Sequence, residues 1–329
     1  MSSLDEPSLP KLKPGFSVHE YLEKRGFLLA GKDYGCPGNL YYEVYGTGKT
    51  KVLFISGMGV DRQLWQHSAE HLVTTGDYQA CLFDLRGTGY SDVRGLTKEP
   101  SWTFYSTTAK LASDANELLN HLGWTSGVNL VGVSMGGMIG LELALLAPSK
   151  FSTLTLCSTK SGLFFPPAMG IFYTLKAVLN ASNPRKRLEV NADTLYPKEW
   201  QYLPAPEGSD APNNREFVIR RSLQYLENTR PVSFGTFVGQ VFAVFRHYIS
   251  KEKLKQLGSF FPDKRILVVV GTWDLLINPQ NSHYIHNCLG EDSSHLHVFE
   301  GVGHAVPGQE PEKFHKLLVK HINSHSHQS

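Results

Sequence analysis

No stretch of this 329-residue chain is apolar enough, over enough length, to read as a membrane span. Net charge is nearly absent too: 32 Lys and Arg stand against 30 Asp and Glu, a formal +2, so no overall field draws the molecule to nucleic acid or to an anionic surface. Cysteine is scarce. Cys36, Cys81, Cys157 and Cys288 lie far apart with no C-x-x-C pair, which argues against a zinc or redox motif. Cys81 and Cys157 fall inside apolar runs and read as small core residues. A reduced, intracellular and cytoplasmic setting is the simpler expectation, since the polar start MSSLDEPSLPKLKPG has no apolar signal core. Internal repeats and low-complexity tracts are missing, and the basic run Pro184-Arg185-Lys186-Arg187 reads as a solvated turn rather than a binding patch.

What is present is ordinary for a globular protein: 41% hydrophobic and 19% charged residues, enough for one large domain with an insertion or for two small ones. Residues 18–24 suit a short helix, and 26–30 and 40–45 suit strands. Gly48-Lys49-Thr50 fails as a phosphate loop, because the upstream glycine position is Glu43 and the tripeptide precedes a strand. From residue 51 short apolar runs (52–55, 80–83, 130–133, 154–157, 266–270, 296–299) alternate with helical patterns such as 107–122. That is the signature of an α/β fold with a doubly wound, mostly parallel sheet. The alternation stops between 157 and 266, where prolines separate helical candidates at 168–179, 214–228 and 241–257. The expected division is an N-terminal extension (1–25), a core (26–159 and 256–320), an inserted helical cap (160–255) and a frayed tail (321–329).

The stretch Asn129-Leu-Val-Gly-Val-Ser134-Met-Gly-Gly runs from strand through a sharp turn into a helix, and Ser134 sits at the turn. Backbone amides at a helix start favour developing negative charge, so the placement suits acyl transfer. With 30 glycines in the chain, G-x-S-x-G alone carries little weight; its context has to decide. A serine needs a base, and the base needs an orienting acid. In this architecture they follow later strands in the order acid, then histidine. Asp274 comes just after the run 266–270 and His304 just after 296–299. Glu300 and Asp263 are the substitute acids. The bland readings are a helix-capping aspartate, a surface histidine and an ordinary turn serine. The main-chain N–H groups of Met135 and of Met58, in the loop Ser56-Gly57-Met58-Gly59, are the candidate oxyanion donors.

These motifs, with Asp84-Leu-Arg-Gly-Thr-Gly-Tyr-Ser91, make residues 40–318 similar to the α/β-hydrolase superfamily, in the serine-nucleophile branch with a helical cap. The resemblance implies a Ser134–His304–Asp274 triad with no cofactor and no metal. It also implies a structural role for Asp84 and Arg86, pairing or hydrogen-bonding to hold a tight turn. One departure is Ser56-Gly57 where the family usually has His-Gly. Relatives with an aspartate at the elbow, the haloalkane dehalogenases and epoxide hydrolases, are disfavoured by Ser134.

The cap is rich in apolar and aromatic residues, among them Phe164, Phe165, Met169 and Phe237, which are the expected roof of a lipophilic pocket. Packing of the cap's own small core is the alternative, and for each aromatic taken singly it is the better reading. The expected activity is hydrolysis of a carboxylic ester of a small to medium lipophilic substrate through an acyl-enzyme. A thioester, amide or carbon-carbon bond on the same triad, or a ligand receptor without turnover, are the alternatives, and the apolar start of the cap also raises contact with a membrane surface.

Overall fold

Apolar runs become the strands of one sheet because each can bury both faces under helices. The computed structural model describes residues 7–11, 17–92, 106–162, 164–180 and 182–325. Its strands are β1 (Leu22–Ala30), β2 (Gly38–Tyr45), β3 (Thr50–Ile55), β4 (Tyr78–Phe83), β5 (Val128–Val133), β6 (Phe151–Cys157), β7 (Ile266–Gly271) and β8 (Ser294–Phe299). The sheet order is β1-β2-β4-β3-β5-β6-β7-β8. β1 pairs antiparallel with β2, and β2 with β4. The remaining pairings are parallel. The doubly wound, mostly parallel sheet read from the sequence is therefore present.

Between the strands lie α1 (Gln66–Val73), α2 (Thr108–His121) and α3 (Met135–Leu146). After β6 come α4 (Ala168–Leu179), α5 (Pro184–Leu195), α6 (Lys198–Gln201), α7 (Asn214–Glu227), α8 (Phe234–Arg246) and α9 (Lys251–Phe260). α10 (Gln280–Leu289) joins β7 to β8, and α11 (Val306–Gln309) and α12 (Pro311–Asn323) follow the last strand. Successive strand residues face opposite layers, as strand geometry requires. Leu53, Leu130 and Val268 pack with Leu111, Ile139, Leu257 and Ile285. Their neighbours Phe54, Val131 and Leu267 pack with Trp65, Leu72, Phe314 and Leu318. Each fully buried side chain of this size contributes roughly 1.5–3 kcal/mol.

Several local expectations change. Residues 18–24 divide into a 3-10 helix, Ser17–Tyr21, and the start of β1, where Leu22 pairs with Tyr45. The single helix expected over 241–257 is broken between Arg246 and Lys251. There the Ile249 N–H donates to Ser161 O at 2.8 Å, and the Ser250 side chain caps α9 by accepting from Lys253 N. Residues 184–187 are not a turn but the first turn of α5. Asn183 caps it, Pro184 occupies the position where a missing N–H costs nothing, and Arg185 pairs with Glu189 and Glu216. At the other end α12 continues through Asn323 with His321 and Ile322 buried. Residues 326–329 of the expected tail lie outside the described residues.

Candidate active site

β5 ends at Val133 and α3 begins at Met135, so a single residue turns the chain. Ser134 does this with φ 56° and ψ −122°, a conformation that costs a non-glycine residue about 1–3 kcal/mol and persists only where the surroundings impose it. They do. Ser134 N–H donates to Cys157 O at 2.9 Å, and the Thr159 hydroxyl donates to Ser134 O at 2.8 Å. The flanking glycines are dictated by space: a Cβ at Gly132 would sit 2.4 Å from Gly136 O, and one at Gly136 would sit 2.2 Å from Ile55 O. The Ser134 side chain is half-buried, and its Oγ has no hydrogen-bond partner among the described residues.

The loops after β7 and β8 bring the acid and the base together. Asp274 is 2% exposed and His304 6%, and His304 Nδ1 lies 2.8 Å from Asp274 Oδ2. The other carboxylate oxygen accepts from the N–H groups of Leu276 and Ile277, both at 2.9 Å. These two bonds orient the carboxylate so that Oδ2 faces the ring. With Nδ1 committed as donor to Oδ2, Nε2 is left with the lone pair of a base. The histidine loop is itself tied down: Trp273 N–H donates to Val302 O at 2.9 Å, and Gly303 N–H to Gln309 Oε1 at 2.9 Å. Glu300 and Asp263, the substitute acids, stand exposed in turns. Ser134 Oγ and His304 Nε2 are not joined by a hydrogen bond among the described residues. Such bonds often form only when substrate closes the site.

The loop after β3 lies against the nucleophile, since a Cβ at Gly57 would be 3.3 Å from Ser134 Cβ. Ser56, standing where a histidine is usual, donates its hydroxyl to Asp61 O at 2.9 Å and closes the loop on itself. The N–H groups of Met58 and Met135 have no acceptor among the described residues. Next to Met58, the Gly59 N–H donates to Gln240 Oε1 at 2.8 Å, so α8 holds this loop from above. Gln240 escaped the sequence reading, although a lone amide within Phe-Gly-Thr-Phe-Val-Gly-Gln-Val-Phe was a signal. It is 1% exposed, and a buried amide needs a partner.

The roof residues do not form one group. Phe237 lies against the loop of Met58, its ring edge 4.0 Å from where a Cβ on Gly59 would stand. Phe164 packs edge-on against Tyr284 of α10, with ring centroids 6.1 Å apart. Phe165 and Met169 are 83% and 50% exposed, turned outward. An aromatic that roofed a dry pocket would be mostly covered.

Asp84 and Arg86 do not pair with each other. Arg86 makes a two-point pair with Asp114 at 2.9 and 2.6 Å, and its guanidinium also donates to the Tyr34 hydroxyl. Asp84 accepts from Arg62 and from Tyr90 N–H, which does hold the turn. Arg62 in turn reaches Glu43 at 2.8 Å. Burial pushes Asp84 up to about 6 despite the Arg62 charge. Burial opposes ionisation of Glu43 as well, but Arg62 and the hydroxyls of Tyr45 and Tyr41 outweigh it and hold this carboxyl below its ordinary value. Both clusters are structural braces beneath the site.

Residues 50–311 match the family model described as alpha/beta hydrolase fold. Among curated proteins, "Putative carbamate hydrolase RutD" of Azorhizobium caulinodans is 31% identical over 169 residues, covering 51% of this chain and 58% of the relative. The chain thus spans less than two thirds of that relative's length. The same-named protein of Stutzerimonas stutzeri is 23% identical over 86% of this chain and 96% of its own. Among solved structures, the α/β hydrolase MGS-M2 from a Medee basin deep-sea metagenome superposes with a TM-score of 0.70 at 16% identity, over 91% of this chain and 97% of that one. A thermophilic esterase from Thermogutta terrifontis gives 0.64 at 22% identity, over 92% and 99%.

Proposed function

The chain belongs to the alpha/beta hydrolase fold family, and from that premise we propose that it is a serine hydrolase acting on a carboxylic ester with a lipophilic acyl or alcohol group. The observation that carries the reading is the strained, half-buried Ser134 at the strand-to-helix turn, following the carboxyl end of a strand parallel to those that precede Asp274 and His304. In this reading residues 160–255 act as a cap over a core of 26–159 and 256–320. Phe237, beside the loop of Met58, meets the lipophilic group.

The chemistry follows from the roles. Ser134 Oγ attacks the carbonyl carbon while His304 Nε2 takes its proton, and Asp274 stabilises the imidazolium that results. The oxyanion accepts hydrogen bonds from Met58 and Met135 N–H groups. Losing one such donor typically costs about 2.7–4 kcal/mol in the transition state. His304 then protonates the leaving alcohol, which departs and leaves an acyl-enzyme. Water, deprotonated by the same histidine, attacks the ester carbonyl; the acyl–Oγ bond then breaks as His304 returns the proton to Ser134 Oγ, releasing the acid. No step needs a metal or cofactor.

A carbamate is a second substrate class, favoured by the RutD relatives, and it passes through the same tetrahedral oxyanion. Assay of esters, thioesters, carbamates and amides of graded chain length separates these readings. Esters of medium lipophilic groups are expected to have the highest kcat/KM. Preference for a small polar carbamate would replace the ester reading.

A further inference from the structure

Helix α4 is amphipathic the wrong way round for a helix of a closed globule. Its inward side carries Gly170, which is buried so closely that a Cβ there would fall 1.8 Å from Leu275 O in the loop that carries Asp274, and the half-buried Tyr173, Thr174 and Ala177. Met169, Ile171, Phe172, Leu175 and Leu179 are exposed by 48–83%, and at 100° per residue they share one face. An exposed apolar face of this kind marks a surface suited to an apolar partner.

Charge identifies that partner. Residues 160–188 contain five Lys or Arg and no Asp or Glu, in a chain that is otherwise almost neutral. Lys176 lies on the exposed face of α4, and Lys186 and Arg187 lie in the first turn of α5, immediately beyond it. None of these three has a carboxylate partner among the described residues, whereas Arg185 is held by Glu189 and Glu216. Two copies of this surface placed face to face would set like charges against each other, which disfavours a homodimer there. An anionic lipid surface satisfies both the apolar face and the cations.

We propose that the outer face of α4, with the basic start of α5, docks on an anionic membrane surface. At 12 residues the helix is about 18 Å long, shorter than the hydrocarbon core, so it lies along the interface without crossing it. Because Gly170 rests on the loop of Asp274, docking would hold the site at the lipid boundary, where a lipophilic ester is found. The docking itself does not depend on the hydrolase reading; only its use for substrate delivery does.

The test is sedimentation of the full chain with phosphatidylcholine vesicles, with and without phosphatidylglycerol. The protein is expected to pellet with the anionic vesicles and to be released by salt. Lys186→Glu with Arg187→Glu should weaken binding by at least about five-fold for each charge, and Phe172→Ser with Leu175→Ser by roughly ten-fold or more. All four positions are wholly or partly exposed, so unchanged melting temperatures are expected. Ser134→Ala should bind vesicles like the native chain, which separates failure of docking from failure of the hydrolase reading. Equal binding to neutral and anionic vesicles, absence of binding to both, or a dimer in solution that the serine substitutions dissociate would each overturn the proposal.

Discussion

Gln240 Oε1 accepts the Gly59 N–H at 2.8 Å, joining residues 181 positions apart and fixing the loop of Gly57, Met58 and Gly59, whose Gly57 lies against Ser134. Four residues earlier on the same helix, Thr236 fills the space over Gly87, where a Cβ would come within 2.6 Å of its hydroxyl oxygen. One face of α8 therefore seats on two loops of the body, and the candidate oxyanion donor is positioned by a residue outside the sheet. Replacing Gln240 with Met keeps the volume and removes the acceptor. It should lower kcat on the order of ten-fold, a fraction of what losing an oxyanion donor costs, with a smaller change in KM. Gln240→Glu, which keeps an acceptor, should lose less. Steady-state kinetics on a good ester checks this, and a change confined to KM would contradict it.

The His304 loop is braced the same way. A Cβ at Gly303 would lie 2.1 Å from Leu195 O, at the end of α5. Gly303→Ala must push α5 and the histidine loop apart, so labelling of Ser134 by a fluorophosphonate should slow by about 10²-fold, in line with the cost of a 1 Å misplacement. Labelling at the native rate would show that the contact is unimportant.

Beneath the site, Arg62 is 4% exposed and lies between Glu43 and Asp84, both 0% exposed. Arg62→Met leaves two buried carboxylates without their cation. Breaking a buried pair from one side costs about 3–5 kcal/mol, and urea unfolding should register a loss of that size. A loss below about 1 kcal/mol, typical of an exposed pair, would mean that the cluster is solvated.

Acid stability rests on histidines far from Ser134. Burial lowers His315, His321 and His247 to about 3, each further depressed by neighbouring cations or histidines. The unfolded chain takes up these protons near the ordinary histidine value while the native state does not. Stability therefore falls as pH drops from about 6.5 towards 3, by up to about 1.4 kcal/mol per pH unit for each group. His321 is the sharpest case, since it is 3% exposed and lies against the rings of His295 and His325. His321→Leu should raise the melting temperature at pH 5 relative to the native chain and flatten its pH dependence. An equal shift at pH 5 and pH 8 would contradict this account.

Strand positions and the Ser134, Asp274 and His304 loops were legible because each is a local pattern: an apolar run followed at its carboxyl end by the residue in question. What was not legible depends on distant partners. Asp84 and Arg86 are two residues apart, and nothing nearby indicates that Arg62 and Asp114 claim them. The break between α8 and α9 comes from Ile249 bonding to Ser161 across the neck of the insertion, and residues 241–257 are otherwise a plausible continuous helix. α5 was hidden because Pro184 reads equally as a break or as a first-turn residue, and the Asn183 cap decides it. Phe165 and Met169 show the remaining ambiguity: an apolar pattern names a face without saying whether it turns inward.

The central claim is that Ser134 is the nucleophile and that His304, oriented by Asp274, activates it. Fluorophosphonate labelling with mass spectrometry of the labelled peptide, run on the native chain and on Ser134→Ala, His304→Ala and Asp274→Asn, tests it most directly. One label on Ser134 is expected in the native chain, none in Ser134→Ala, and slowing by several orders of magnitude in the other two, with ester turnover falling in parallel. A label elsewhere, or undiminished ester turnover in Ser134→Ala, would contradict it.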